Sequence, residues 1–132
     1  MKTKSRLPEK IYVMNNAWFS STGVSGSDRR AMQWSKEWLK KGISVEVFCS
    51  ENARKNYATH KVKAGKFHIT SKLKDTKASI ALNNAVYCWL NSLKAKKPED
   101  NSVIYSSSDF LPDVLPAFAM KIKNKKLFFP IQ

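Results

Sequence analysis

Short apolar runs and longer amphipathic stretches alternate along this 132-residue chain. Runs rich in β-branched and aromatic residues predict buried strands, and apolar residues spaced three and four positions apart predict helices that bury one face. The predicted strands are Lys10–Met14, Ser44–Cys49, a weaker alternating segment at Lys66–Thr70, Ser102–Tyr105 and Leu127–Ile131. The predicted helices are one that begins near Ser25–Ser27 and ends at Lys41, one at Ala78–Leu93 and a short one at Asp113–Lys121.

The first predicted helix has the clearest signals at both ends. Ser25 or Ser27 can cap its free amide groups, Asp28 places negative charge in its first turn, and Gly42 suits a left-handed C-cap. A strand, a capped helix and a second strand within about 40 residues are typical of a βαβ unit with a parallel, right-handed crossover. By contrast, the lysine-rich stretch Glu51–Lys77 is predicted to be irregular apart from its weak strand.

These elements together predict an α/β fold. We expect a Rossmann-like, doubly wound, mostly parallel sheet of about five strands with helices on both faces. The sequence stops directly after the last predicted strand, although a parallel sheet needs both faces covered. We therefore expect residues 1–132 to form a domain that is incomplete at its C-terminus.

Charge is the unusual feature of the composition. Twenty-four Lys and Arg against ten Asp and Glu give a net charge of +14, which favours nucleic acid, an anionic membrane surface or phosphate-bearing small molecules as partners. The sequence has no apolar run of about 18 residues and no signal-peptide core, so we expect a cytoplasmic protein. His60 and His68 lie eight positions apart without a neighbouring acid or thiol pattern. They are predicted to be surface residues, and no metal site is predicted.

The loop after the first strand is the first candidate site, since ligands bind at the carboxyl ends of strands in open α/β sheets. Its candidate residues are Gly23, Ser25, Gly26, Ser27 and Asp28. The glycines let a ligand approach the backbone, and the following helix N-terminus offers free N–H groups to an anion. The spacing matches neither the dinucleotide-binding fingerprint nor the P-loop. An ordinary loop with a helix cap explains the same residues equally well.

The loop after the fourth predicted strand is the second candidate site. Hydroxyls and carboxylates at a strand end suit a hydroxyl-rich ligand, and the candidates here are Ser107, Asp109 and Asp113. The competing interpretation is that Ser108 or Asp109 only caps the next helix.

Three segments carry a resemblance to a known family. They read SGSDR at residues 25–29, WLKKG at 38–42 leading into the strand at 43–48, and SVIYSSSDFLPDVLP at 102–116. In this order they resemble the N-terminal region of family-four glycosyltransferases of the GT-B fold. The resemblance covers nearly the whole chain.

The resemblance implies a retaining transferase of two Rossmann-like domains that moves a hexose from a nucleotide-sugar, usually without a bound metal. The N-terminal domain would receive a glycan or lipid-linked acceptor. The loop around Gly23 and Gly26 would face the acceptor and the donor phosphates. Many members carry histidines where this chain has Tyr105, Ser107 and Gln132, so catalytic residues are not assigned. Gln132 can still hydrogen-bond a sugar hydroxyl but cannot carry charge.

The C-terminal domain that would hold the nucleotide-sugar, the co-substrate, is absent from these 132 residues, so we expect this chain alone to be inactive. Two other hypotheses stay open: a non-catalytic truncated remnant, and a basic binding module for nucleic acid. The second is less favoured because no recognised nucleic-acid motif is present. A peripheral contact with the inner membrane face is also predicted, through the clustered lysines. They are Lys61, Lys63, Lys66, Lys72, Lys74 and Lys77.

Overall fold

The computed structural model describes residues 7–16, 26–71, 98–108 and 111–124. The strands in these ranges are β1 (Lys10–Asn15), β2 (Ser44–Ser50), β3 (Lys66–Ser71) and β4 (Ser102–Ser106). The helices are α1 (Gly26–Lys40), α2 (Glu51–Thr59) and α3 (Leu111–Lys123). The second predicted helix at 78–93 and the fifth predicted strand at 127–131 lie outside these ranges.

The four strands form one parallel sheet in the order β3-β2-β1-β4. In this register Ile11 of β1 lies between Val45 of β2 and Val103 of β4. The chain builds outwards from β1 to β2 and β3, and β4 then pairs with the other side of β1. The fold is therefore α/β with a parallel, Rossmann-like sheet, which confirms the predicted fold class.

Alternating side chains give the sheet two apolar faces, as period-two strands require. One face packs against α1 and α2. Its buried core residues include Ile11, Val13, Ala31, Met32, Val45, Val47, Ala53 and Tyr57. The other face packs against α3 through Tyr12, Met14, Phe48, Ile104, Ala117 and Met120. Helices thus cover both faces, as predicted.

Helix α1 follows its prediction closely, with one correction. Asp28 lies in its first turn, and Gly42 follows its end at φ +78°, the left-handed conformation expected of a C-cap. Because the helix already begins at Gly26, Ser27 lies inside it and does not occupy the capping position. Ser25, the other predicted cap, lies outside the described residues.

The prediction that Glu51–Lys77 is irregular was wrong over its first nine residues, which form α2. The Ser50 hydroxyl accepts a hydrogen bond from the Ala53 N–H at 3.1 Å and so caps the helix. The helix buries Ala53 and Tyr57 completely. Two apolar side chains one turn apart are enough to dock a short polar helix, although they leave almost no periodic signal. The weak strand in the same stretch is confirmed as β3.

Helix α3 begins two residues before its predicted start and ends two residues after its predicted end. Pro112 is tolerated there because the N–H groups of the first helical turn have no partner within the helix. None of the helices in the described ranges has both the length and the apolar character needed to cross a bilayer.

Candidate functional site

The carboxyl ends of β1 and β4 meet where the strand order reverses. A group of polar residues lies there, which we call the switch-point cluster: Asn15, Asn16, Ser107, Ser108 and Asp113. All except Ser108 are at most 4% exposed. Buried polar groups are costly unless they are hydrogen-bonded, so their partners determine whether this cluster is stable.

The carboxylate of Asp113 is the common acceptor of the cluster. One of its oxygens accepts from the backbone N–H of Asn16 at the end of β1. The other accepts from the hydroxyls of Ser108 and, at 3.2 Å, Ser107. Asp113 belongs to the first turn of α3, so one carboxylate joins β1, the loop after β4 and α3.

Asn15 connects this cluster to the other face of the sheet. Its Oδ1 accepts from the Ser107 hydroxyl at 2.9 Å, and its Nδ2 donates to the Tyr57 hydroxyl at 3.0 Å. Ser107 has a single hydroxyl proton, which must divide its time between Asn15 and Asp113. The end of β1 is therefore hydrogen-bonded to both β4 and α2.

Tyr57 lies in a setting that strongly favours its neutral form. Burial is the main cause that raises the pKa of its phenol well above 10.0, and the electrostatic effects of Cys49, Asp28 and Asp113 add to the rise. The hydrogen bond from Asn15 acts in the opposite direction. Asp28 of α1 and Asp113 of α3 thus both influence the ionisation of a hydroxyl in α2.

The first turn of α1 forms an accessible rim beside this buried floor. Gly26, Arg29 and Arg30 are exposed, and Ser27 is half-buried. A Cβ atom built on Gly26 would have no heavy atom within 4 Å apart from its chain neighbours and the backbone of its own helix. The space next to this glycine is therefore open to a ligand, while the cationic side chains and the helix N-terminus favour an anionic group there.

Arg30 also acts on Tyr105, near the end of β4. Burial raises the pKa of Tyr105, and the charge of Arg30 lowers it. The ring of Tyr105 packs between Trp34 and Trp38 of α1, at centroid distances of 5.3 and 5.5 Å. Tyr105 is therefore a core aromatic residue.

The structure brings together two of the predicted site residues and places three others in the first turn of α1. Ser107 and Asp113 join the switch-point cluster, while Gly26, Ser27 and Asp28 lie in the first turn of α1. Asp28 is buried and so belongs to the floor. The predicted site residues Gly23, Ser25, Asp109 and Gln132 lie outside the described residues.

Asn15, Asn16 and Tyr57 are members of this site that were not predicted, and Ser108 was predicted only as an alternative helix cap. The Ser108 hydroxyl in fact donates to the Asp113 side chain. Asn15 and Asn16 could have been predicted as site residues, because two consecutive asparagines stand at the end of a buried strand. Tyr57 had no such signal, because helix α2 itself was not predicted.

The two histidines differ in their surroundings. His60 is exposed, as predicted, but His68 is only partly exposed and its Nε2 lies 2.8 Å from Glu46 Oε2. This acid lies on the neighbouring strand, where local spacing cannot reveal it. Within the ranges that the structure describes, no three His, Cys, Asp or Glu side chains are grouped to hold a metal ion.

Comparisons of the chain with protein-family models, with curated proteins and with solved structures find no significant match.

Proposed function

We propose that this chain is the acceptor-binding part of a retaining glycosyltransferase. The observation that supports the proposal best is the switch-point cluster. In open parallel sheets, ligands bind outside the carboxyl ends of the strands, at the point where the strand order reverses. Here that point carries hydroxyl, amide and carboxylate groups, which suit a ligand rich in hydroxyls.

The members of this site would have different tasks. Asn15, Asn16 and Asp113 are almost completely buried and bonded to one another or to neighbours, so they shape the floor. The acceptor would touch the more accessible groups, above all Ser108 and the backbone at Gly26. Arg29 and Arg30 would lie close enough to attract a phosphate of a lipid-linked acceptor or of the donor.

The nucleotide-sugar is the proposed co-substrate, and the resemblance assigns most of its binding to a second domain of the enzyme. No bound metal or other cofactor is part of the proposal. We therefore expect this chain to recognise acceptor glycans without transferring sugar on its own. Binding, and not turnover, is the property to measure.

The test is a titration of the purified chain on an array of glycans, repeated with Gly26→Val and Gly65→Ala. A Cβ atom at residue 26 has open space around it, so we expect the fold to survive while access to the site is narrowed. We expect the Gly26→Val variant to bind its glycan at least ~10-fold more weakly, which corresponds to ~1.4 kcal/mol. Gly65 precedes β3, and a Cβ there makes only ordinary contacts, so the control should bind normally.

Glycan binding that is unchanged in the Gly26→Val variant would place the site elsewhere. Absence of glycan binding, together with steeply salt-dependent binding to a nucleic acid duplex, would support the basic binding module instead.

A further inference from the structure

The outer side of α3 carries an exposed apolar stripe. Leu115, Phe118 and Ile122 are 36%, 56% and 59% exposed, although large apolar side chains usually lie inside. Their spacing of three and four positions places them along one line of the helix. The residues of α3 that face the sheet, Ala117 and Met120, are fully or almost fully buried. The stripe therefore lies on the side of α3 that faces away from the sheet.

The charges of α3 are arranged around this stripe. At about 100° per residue, Lys121 lies to one side of the stripe and Lys123 to the other. The only carboxylate in the sequence of α3 belongs to Asp113, which is completely buried on the sheet side. The outward face of α3 thus combines large apolar side chains with flanking cations and carries no acid of its own.

We propose that this outward face of α3 docks on an anionic lipid surface. A helix with apolar residues along one line and cations on both flanks lies in a membrane interface, with its apolar side chains among the acyl chains and its lysines at the headgroups. The net charge of +14 adds long-range attraction to the same surface. With 13 residues α3 is only about 20 Å long, so it can lie in the interface but cannot cross the bilayer.

Docking in this way would hold the switch-point cluster about one helix diameter, ~10 Å, from the lipid surface, because Asp113 lies in the first turn of the same helix on its sheet side. The docking does not depend on the proposed function. Only the purpose of the docking rests on the proposed function, because a lipid-linked acceptor would then meet the site at the membrane surface.

The test measures how the chain partitions between buffer and vesicles, by flotation. One set of vesicles contains phosphatidylcholine alone, and the other contains equal parts of phosphatidylcholine and phosphatidylglycerol. The apolar variant is Phe118→Gln with Ile122→Gln, and its control is Leu7→Gln, which removes an apolar side chain that is 58% exposed outside α3. The charge variant is Lys121→Gln with Lys123→Gln, and its control is Lys61→Gln with Lys63→Gln.

We expect the wild-type chain to bind the anionic vesicles and to bind phosphatidylcholine weakly. The apolar variant and the charge variant should each lose about 10-fold or more in partition coefficient, while the two controls should stay within about 3-fold of wild type. All altered side chains of α3 are at least partly exposed, and circular dichroism will show that the variants remain folded.

Three outcomes would overturn the proposal. The first is an apolar variant that binds vesicles as well as its control does, and the second is binding that is lost with Lys61 and Lys63 and not with the lysines of α3. The third is a wild-type chain that does not bind vesicles but self-associates through Phe118 and Ile122, which would make a second copy of the chain the partner of this face. Sedimentation velocity without lipid distinguishes this last case, and none of these outcomes bears on glycan binding.

Discussion

At the scale of single residues, Asp113 shows how one side chain can organise a site without touching a ligand. Its two oxygens accept from the backbone of Asn16 and from two serine hydroxyls. Removing such an acceptor would leave buried donors without partners, at a cost of about 1–3 kcal/mol for each group. Asp113 is therefore a poor choice for a test of ligand binding, because its loss would change the fold first.

The ionisation of Tyr57 predicts how the stability of the protein changes at alkaline pH. Its folded-state pKa is raised well above the value near 10.0 that we expect in the unfolded chain. The folded state then keeps a proton that the unfolded state loses, so the stabilisation is complete below pH 10 and is lost as the pH rises above it. We expect the Tyr57→Phe variant to lose less stability than wild type between neutral and alkaline pH.

The measurement is urea unfolding at a series of pH values. At neutral pH the Tyr57→Phe variant should be less stable by about 1–2 kcal/mol, because the Asn15 amide loses its buried acceptor. Tyr12→Phe is the control, since burial raises the pKa of Tyr12 as well but to a smaller extent. If the free energies of unfolding of wild type and Tyr57→Phe changed equally with pH, the Tyr57 phenol would not titrate as inferred.

At the scale of elements, the stability of α2 depends on its N-terminal cap more than on the pattern of apolar residues in its sequence. Ser50 both ends β2 and caps α2, so one residue closes the strand and starts the helix. Tyr57 lies two helical turns after Ser50, where its hydroxyl accepts a hydrogen bond from Asn15. The position of the candidate site therefore depends on a cap at the far end of a short helix.

We predict that Ser50→Ala lowers the free energy of unfolding by about 1 kcal/mol, the usual cost of losing an N-cap hydroxyl. Chemical denaturation measures this change. Thr59→Ala is the matched control, because Thr59 is exposed and its hydroxyl donates only to the Lys55 carbonyl within the same helix. An equal loss in both variants would mean that the Ser50 hydroxyl contributes no more than an exposed hydroxyl in the last turn.

Polar and charged side chains on three neighbouring strands also contact one another. Lys10 of β1 contacts Glu46 of β2 at 3.0 Å, and Glu46 also contacts His68 of β3. Burial opposes ionisation of Glu46, but hydrogen bonds from His68 and Lys10 outweigh it and lower the pKa of Glu46 below 4.5. The ionised carboxylate therefore stabilises the fold above this pH, and this contribution is lost on acidification.

At the scale of the whole molecule, the net charge of +14 sets how the protein responds to salt. Like charges repel one another most strongly in the compact state, and salt screens this repulsion. We predict that the thermal unfolding midpoint rises as sodium chloride is added. Calorimetry will show whether it does.

The matched control changes charge at exposed positions. Lys36→Glu, Lys41→Glu and Lys63→Glu together lower the net charge by six, from +14 to +8. The salt-induced rise of the midpoint should be smaller in this triple variant. A rise of the same size in both proteins would point to a specific ion effect and not to repulsion.

The parts of the fold that were predictable are those whose signals are local. The unit of β1, α1 and β2 is marked by an apolar run, by Asp28 in a first turn and by Gly42 at a helix end, all of which act within a few residues. The switch-point cluster is different, because Asn16 and Asp113 are 97 positions apart. Which polar residues meet there depends on the strand order, and no local sequence pattern indicates that order.

The position of β4 beside β1 has a consequence for how the protein is made. Asn15 and Ser107, which are hydrogen-bonded in the finished sheet, lie 92 residues apart in the chain. At about 5–20 residues per second, a ribosome needs roughly 5–18 seconds to cover that distance. During this interval β1 can already pair with β2, while its other edge has no β4 to pair with. The nascent chain therefore passes through a stage in which one edge of β1 is open, and such edges invite pairing with other chains.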